Sequence, residues 1–381
     1  MLRILIVCGT RPEVIKVAPV IKEFRKLPKE FVCKVCITGQ HREMIDSLLK
    51  LFDIRADYDL NLMKANQDLE HITTSVLHEI GKILDHEQFD YLFVQGDTTT
   101  AMAASLAAFY KRVKVAHIEA GLRTWNKFHP YPEEVNRKII DSVSDLFFAH
   151  TDAARQNLLN EGVDPKNIEV TGNTVIDALL DTARREFSFQ GTGLERVIAD
   201  DHKIILVTAH RRENMGEPIL NICAAMKEIA VRFNGEITFV YPVHLNPNIK
   251  VPVNKVLQGV DNIILTAPMD YLPFVHLMKR SYFVLTDSGG LQEEAPSLGK
   301  PVLVMRETTE RPEGVAAGCV EVIGTEKSMV VQKVAELLQD EGKYTRMAKA
   351  INPYGDGKAS QRIVQRFLME CVPVMKNKKL T

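Results

Sequence analysis

The sequence has no excess of charge in either direction: across 381 residues, 48 Lys and Arg stand against 49 Asp and Glu. A chain so balanced lacks the electrostatic footprint of a nucleic-acid or anionic-membrane binder. Its one basic cluster, Lys376–Lys379, reads as a short solvated tail. Long apolar runs are missing too. The uncharged stretch Thr98–Tyr110 falls well short of the ~20 residues a membrane span requires. The apolar run Ile4–Cys8 is too short for a signal-peptide core. Cysteines number only six, at positions 8, 33, 36, 223, 319 and 371, and so scattered they read as reduced thiols in a cytosolic protein. Cys33 and Cys36 form a CxxC inside the apolar run Phe31–Ile37, where residues three apart on a strand face opposite ways; we read them as structural. Nucleotide and metal signatures are equally scarce. There is no GxxxxGK[ST] and no GxGxxG, since Gly191-Thr-Gly193 precedes a strand and is followed by Arg196. His117-x-Glu119 is half of a zinc deaminase signature without its Pro-Cys-x-x-Cys half. His71 and His78 have no third ligand in view, so no metal site is expected.

What the sequence does have is regular alternation. With 45% hydrophobic and 25% charged residues the chain can bury sizeable cores, and at about 150 residues per domain its length predicts two domains or slightly more. Short β-branched runs predict strands at Leu2–Val7, Phe31–Thr38, Tyr91–Gln95, Val113–Ile118, Asp145–Ala149 and Ile168–Val170. A second series falls at Lys203–Thr208, Glu236–Tyr241, Asn262–Leu265, Tyr282–Leu285, Pro301–Met305 and Cys319–Val322. Amphipathic stretches such as Ala101–Tyr110 and Asn221–Phe233 lie between most of them. Strands apolar almost throughout and separated by helices indicate parallel sheets covered on both faces. The fold class is therefore α/β, with two doubly wound Rossmann-like domains and a cleft between them. The expected boundaries are 1–172, completed by a terminal helix within 359–381, and 173–358.

Ligands of such sheets bind outside the carboxyl ends of the strands, so the residues following each strand matter most. After the first come Gly9-Thr-Arg-Pro-Glu13 and Lys16. Here Pro12 and Pro19 each suit a helical first turn, and either start aims free amides at a phosphate. After the third comes Asp97-Thr-Thr-Thr100, in which Asp97 is open to two readings, helix cap or chemistry. After the fourth comes Glu119, a candidate base, followed by a loop ending in Glu133, Glu134 and Arg137. In the second half, His210-Arg-Arg-Glu-Asn214 and Asp287-Ser-Gly-Gly290 through Glu294 follow strands. Two glycines at a helix start let backbone amides reach a pyrophosphate, with Glu294 in reach of a ribose diol. A nucleotide-diphosphate enzyme with carboxylates and a histidine for proton transfer is implied.

These segments, Gly9-Thr-Arg-Pro-Glu-Val-Ile-Lys16, Gly96-Asp-Thr-Thr-Thr100, Glu119-Ala-Gly-Leu-Arg-Thr124, Pro132-Glu-Glu-x-Asn-Arg137, His210-Arg-Arg-Glu-Asn214, Asp287-Ser-Gly-Gly290 and Thr308-Thr-Glu-Arg-Pro-Glu313, occur in order from residue 1 to about Ala359. The set resembles the non-hydrolysing UDP-N-acetylglucosamine 2-epimerases. The resemblance implies a glycosyltransferase-B-like fold, a homodimer, and catalysis without a cofactor. It implies inversion at carbon 2 of UDP-N-acetylglucosamine to give UDP-N-acetylmannosamine, by expulsion of UDP to 2-acetamidoglucal and its re-addition. By resemblance Asp97, Glu119 and Glu133 are the acid/base carboxylates and His210 serves the leaving phosphate. Arg11, Lys16, Arg137 and Arg311 would contact phosphate and sugar; Met269, Phe274, Ser288, Gly289, Gly290 and Glu294 would hold uridine and diphosphate. Gln40, Arg211 and His244 match a second, activating substrate site, from which Glu43 and Asn66 depart, standing where Gln and Arg are found.

Rival readings have their own signatures. Hydrolysing epimerases open with Gly-Ser-Arg-Ala-Glu, and relatives acting on diacetamido-uronic acids with Gly-Ala-Arg-Pro-Gln, against Gly-Thr-Arg-Pro-Glu13 here. A glycosyltransferase of the same fold would leave Asp97, Glu119 and Glu133 without a shared purpose.

Overall fold

The computed structural model describes residues 1–39, 42–62 and 67–378, with side chains from 42–44 and 370–378 left aside. The chain divides into two compact units, Met1–Ala178 with Gly355–Thr381, and Leu179–Tyr354. None of the described helices is long and apolar enough to cross a membrane.

The first unit is built on a seven-stranded sheet: β1 (Leu2–Cys8), β2 (Phe31–Ile37), β3 (Tyr58–Asp59), β4 (Tyr91–Gln95), β5 (Lys114–Ala120), β6 (Leu146–Ala149) and β7 (Ile168–Val170). The order is β3-β2-β1-β4-β5-β6-β7, and every pairing is parallel. Central position explains composition: Ile4, Leu5, Ile6 and Val7 are all fully buried, as a strand covered on both faces must be. The two-residue β3 has too little apolar pattern to be marked in the sequence. The helix Ala359–Lys378 packs into this unit through Phe367, whose ring lies 4.5 Å from Tyr91, 5.4 Å from Phe93 and 5.8 Å from Phe24 between centroids. Burying such a ring contributes about 2–3 kcal/mol. The start of that helix is capped from the helix Thr174–Ala183, where Asp177 accepts from the backbone of Ala359 (3.1 Å) and Ser360 (2.8 Å).

The second unit has a six-stranded sheet: β8 (Lys203–Thr208), β9 (Ile237–Pro242), β10 (Ile263–Thr266), β11 (Phe283–Thr286), β12 (Val302–Val304) and β13 (Val320–Val322), ordered β10-β9-β8-β11-β12-β13. All five pairings are parallel. The helix Glu217–Arg232 covers one face with Ile222, Met226 and Ile229, all fully buried. In each sheet the strand order reverses once, between β1 and β4 and between β8 and β11. Those two reversals are where an open α/β sheet presents its ligand crevice.

Candidate active site

In the first unit the site begins at Gly9. A Cβ there would lie 2.3 Å from Thr38 Oγ1 and 2.8 Å from Thr100 Oγ1, so the tight turn out of β1 admits only glycine. The helix Arg11–Arg25 follows at once, capped by Thr10, with Pro12 in its first turn and Pro19 in its interior. That settles the two starts left open by the sequence. Glu13 closes the cap, accepting from Gly9 N (2.9 Å) and Thr10 N (2.7 Å), while Thr98 Oγ1 donates to it at 2.6 Å. A buried carboxylate thus ties the β1 turn to the β4 turn.

Glu119 lies inside β5 rather than beyond its end, which corrects the expected boundary. The pairing with β6 shifts register between Ile118 and Ala120, and Glu119 takes φ +68°. Left-handed backbone costs a residue with a Cβ about 1–2 kcal/mol, and such a bulge re-aims a side chain. The carboxylate oxygen so aimed accepts from Lys16 Nζ and from Gln95 Nε2, each at 2.5 Å.

Asp97 is not the helix cap. Thr98 performs that task, accepting from Ala101 N at 3.0 Å ahead of the helix Thr99–Tyr110. The Asp97 carboxylate instead accepts from Arg137 Nε (2.9 Å) and Nη2 (2.7 Å), and Asn136 Nδ2 holds its carbonyl at 2.9 Å. Arg137 and Asn136 belong to the helix Glu133–Val143. The two glutamates opening that helix differ. Glu134 is buried and accepts from Thr124 N (3.0 Å), Trp125 N (2.9 Å) and Arg137 Nη1 (3.0 Å). Burial raises its pKa, but the two amides and the guanidinium outweigh it and hold the carboxyl below its ordinary range. Glu133 is half-buried at the first helical position.

Beneath these groups His117 is fully buried, with Nδ1 2.5 Å from Asp141 Oδ1 and Nε2 2.7 Å from the Gly96 carbonyl oxygen. Neither nitrogen is open to a metal. Among the described residues no His, Cys, Asp and Glu cluster has the arrangement of a metal site.

In the second unit the centre is Asp287, fully buried at the end of β11. Its Oδ2 accepts from His210 N (2.7 Å), Arg211 N (2.8 Å) and Asn214 Nδ2 (3.0 Å). Its Oδ1 faces His210 Nδ1 at 3.4 Å, an electrostatic contact without hydrogen-bond alignment. The His210 ring stacks on His244 at 5.6 Å and 15°. Burial lowers the His210 pKa; Asp287 opposes this, Arg211 and His244 add to it, and the net position is below the ordinary 6.5. Beyond Asp287 the short helix Gly289–Glu294 begins. A Cβ on Gly289 would come within 3.5 Å of Arg211 Nη2, and one on Gly290 within 3.6 Å of Glu294 Oε1, so a cation and a carboxylate flank the two glycines. Ser288 caps this helix by position. Arg311 pairs with buried Glu293. Met269 lies in the turn after β10, and half-buried Phe274 in the helix Tyr271–Arg280 that follows.

A family model described as UDP-N-acetylglucosamine 2-epimerase matches residues 23–368. The chain belongs to that family. It is 52% identical over 372 residues to a probable UDP-N-acetylglucosamine 2-epimerase of Ralstonia nicotianae, covering 96% of this chain and 98% of that one. It is 51% identical over 369 residues to the UDP-N-acetylglucosamine 2-epimerase of Escherichia coli, covering 96% and 98%. Among solved structures, the Neisseria meningitidis UDP-GlcNAc 2-epimerase bound to UDP-GlcNAc superposes with TM-score 0.88 at 48% identity, covering 97% of this chain and all of that one. A Rickettsia africae glycosyltransferase at 15% identity, TM-score 0.62, shares the fold alone.

For this 2-epimerase-family chain the sequence reading left out Asp287, Glu13, Gln95 and Glu134 as site-building residues. Asp287 stood inside a quoted motif, at a strand end, and that position was its signal. Glu13 and Glu134 had helix first-turn positions; Gln95 had none, because a strand-terminal glutamine has no local signature. Of the activating-site positions, Gln40 and Asn66 and the side chain of Glu43 lie outside the described residues. Arg211 and His244 sit against Gly289 and His210 respectively.

Proposed function

We propose that this chain interconverts UDP-N-acetylglucosamine and UDP-N-acetylmannosamine without hydrolysis. A carboxylate removes the proton at carbon 2. Its electron pair forms the carbon 1–carbon 2 double bond as the carbon 1–oxygen bond to the diphosphate breaks, leaving 2-acetamidoglucal and UDP. Re-addition of UDP with protonation on the opposite face completes the inversion. Asp97, Glu119 and Glu133 supply acid and base, and His210 receives the charge developing on the departing diphosphate. Arg11, Lys16, Arg137 and Arg311 contact phosphate and sugar, while Met269, Phe274, Ser288, Gly289, Gly290 and Glu294 hold UDP.

The observation that carries this reading is the pair of carboxylates at the first sheet's reversal edge. Asp97 is gripped by Arg137 and Glu119 by Lys16, so each carboxylate is oriented by a cation, and an acid or base acts only from a fixed position. Solved relatives bound to UDP-GlcNAc and UDP support the ligand class. We further read the protein as a cytoplasmic homodimer, testable by sedimentation. A second UDP-sugar beside Arg211 and His244 would act as activator; hyperbolic kinetics with one UDP-sugar bound per subunit would remove it.

Proton NMR of the enzyme with UDP-N-acetylglucosamine in heavy water tests the reaction. The expected product is UDP-N-acetylmannosamine with deuterium at carbon 2. Free N-acetylmannosamine plus UDP would instead assign the hydrolysing reaction, and an unchanged spectrum would overturn both.

A further inference from the structure

His117 lies two residues before Glu119 in β5 and has no part in the proposed chemistry, yet it is fully buried with both nitrogens engaged. A neutral imidazole has one donor and one acceptor. The Gly96 carbonyl, 2.7 Å from Nε2, can only accept, so Nε2 donates. The Asp141 carboxylate lies 2.5 Å from Nδ1. It is already the acceptor of Arg123 Nη2 at 2.6 Å and of Gly121 N at 3.3 Å through its other oxygen, an arrangement that favours the ionised form. Nδ1 therefore donates as well. Arg123 in turn pairs with Glu161. The chain His117, Asp141, Arg123, Glu161 holds two cations and two carboxylates and is neutral in sum, the condition under which an interior charge persists.

Its anchor points matter for the reaction. Gly96, at φ +70°, is the residue before Asp97, and the helix Glu133–Val143 carries Asp141 together with Glu133 and Arg137. We propose that His117 is a doubly protonated clamp that sets the spacing between the Asp97 turn and the helix bearing Glu133 and Arg137. It is a positioning residue, resting on the epimerase reading above, and touches no reacting atom itself. A space-filling core histidine would need neither both protons nor both acceptors.

Two conservative variants separate the anchors, because the amide nitrogen of Gln overlays Nε2 and that of Asn overlays Nδ1. His117→Gln keeps the donor to Gly96 and should retain kcat within about 10-fold. His117→Asn keeps the donor to Asp141 and releases the Asp97 turn; kcat should fall at least ~100-fold, the scale of an ångström-level misplacement. UDP affinity, measured by calorimetry, should be unchanged in both. Equal kcat in Gln, Asn and wild type, or an equal loss in both variants, would overturn the clamp. On the wild-type protein labelled with 15N in its histidine rings, both His117 nitrogens should give the protonated signal at the assay pH. A single protonated nitrogen would overturn the proposal even where neither variant folds. A wild type with no turnover but two protonated nitrogens would sink the epimerase reading and leave the charged ring standing.

Discussion

At the reversal edge of the first sheet, two candidate acids are each tied to a cation on another element, Glu119 to Lys16 and Asp97 to Arg137. The second sheet's edge is made differently. There one fully buried carboxylate, Asp287, gathers two backbone N–H groups and an asparagine around His210, and Gly289 and Gly290 open the next helix beside Arg211 and Glu294. The first arrangement holds two carboxylates by cations from other elements and suits proton transfer. The second buries its carboxylate and sets a histidine and Arg211 beside the start of the Gly289 helix, which suits a diphosphate. On the proposed function, one architecture used twice separates two tasks by how its acids are held.

The largest expected effect tests that separation directly. Asp97→Asn should lower kcat about 10³-fold, within the range for removing a general acid or base, with UDP affinity changed less than about 2-fold by calorimetry. A parallel loss of UDP affinity would erase the distinction. Glu294→Ala should do the converse. Loss of a hydrogen bond to a charged group weakens UDP binding about 10- to 100-fold, with kcat at saturating substrate within a few-fold of wild type. Should kcat collapse instead, the second edge takes part in the chemistry and not only in retention.

Asp287→Ala sharpens the contrast on stability. Three donors lose a buried acceptor, so the second unit's unfolding should be destabilised by about 3 kcal/mol, read by chemical denaturation. The smallest effect concerns pH. Burial holds the His210 pKa below 6.5 in the folded state, so below about pH 6.5 the unfolded chain binds this proton more readily than the folded one. Stability should therefore fall as pH drops through that window, and His210→Gln should flatten the slope. An unaltered slope would show that this imidazole does not report on its buried partner.

Much of the fold was legible because parallel strands are written as apolar runs. Tyr91–Gln95, Ile168–Val170 and Lys203–Thr208 stand where the residue pattern puts them. Boundaries slipped where chemistry other than apolar periodicity rules: β5 continues through a bulge to Ala120, and β3 is too short to show a pattern. The candidate residues were legible as strand-end polar clusters. Their partners were not, since Gln95 and Glu119, or His210 and Asp287, are 24 and 77 residues apart, and no local spacing reports such a contact.

By itself the sequence determined the alternation of strand and helix, the two-domain α/β class and the family, because apolar periodicity and ordered motifs are local properties of the chain. Only the tertiary structure decided that Thr98 rather than Asp97 caps its helix, that Glu134 is bound inward by two amides and Arg137, and that His117 faces two acceptors. Those outcomes depend on which donors and acceptors the folded sheet brings within 3 Å of one another, and that is settled by topology, not by neighbours in sequence.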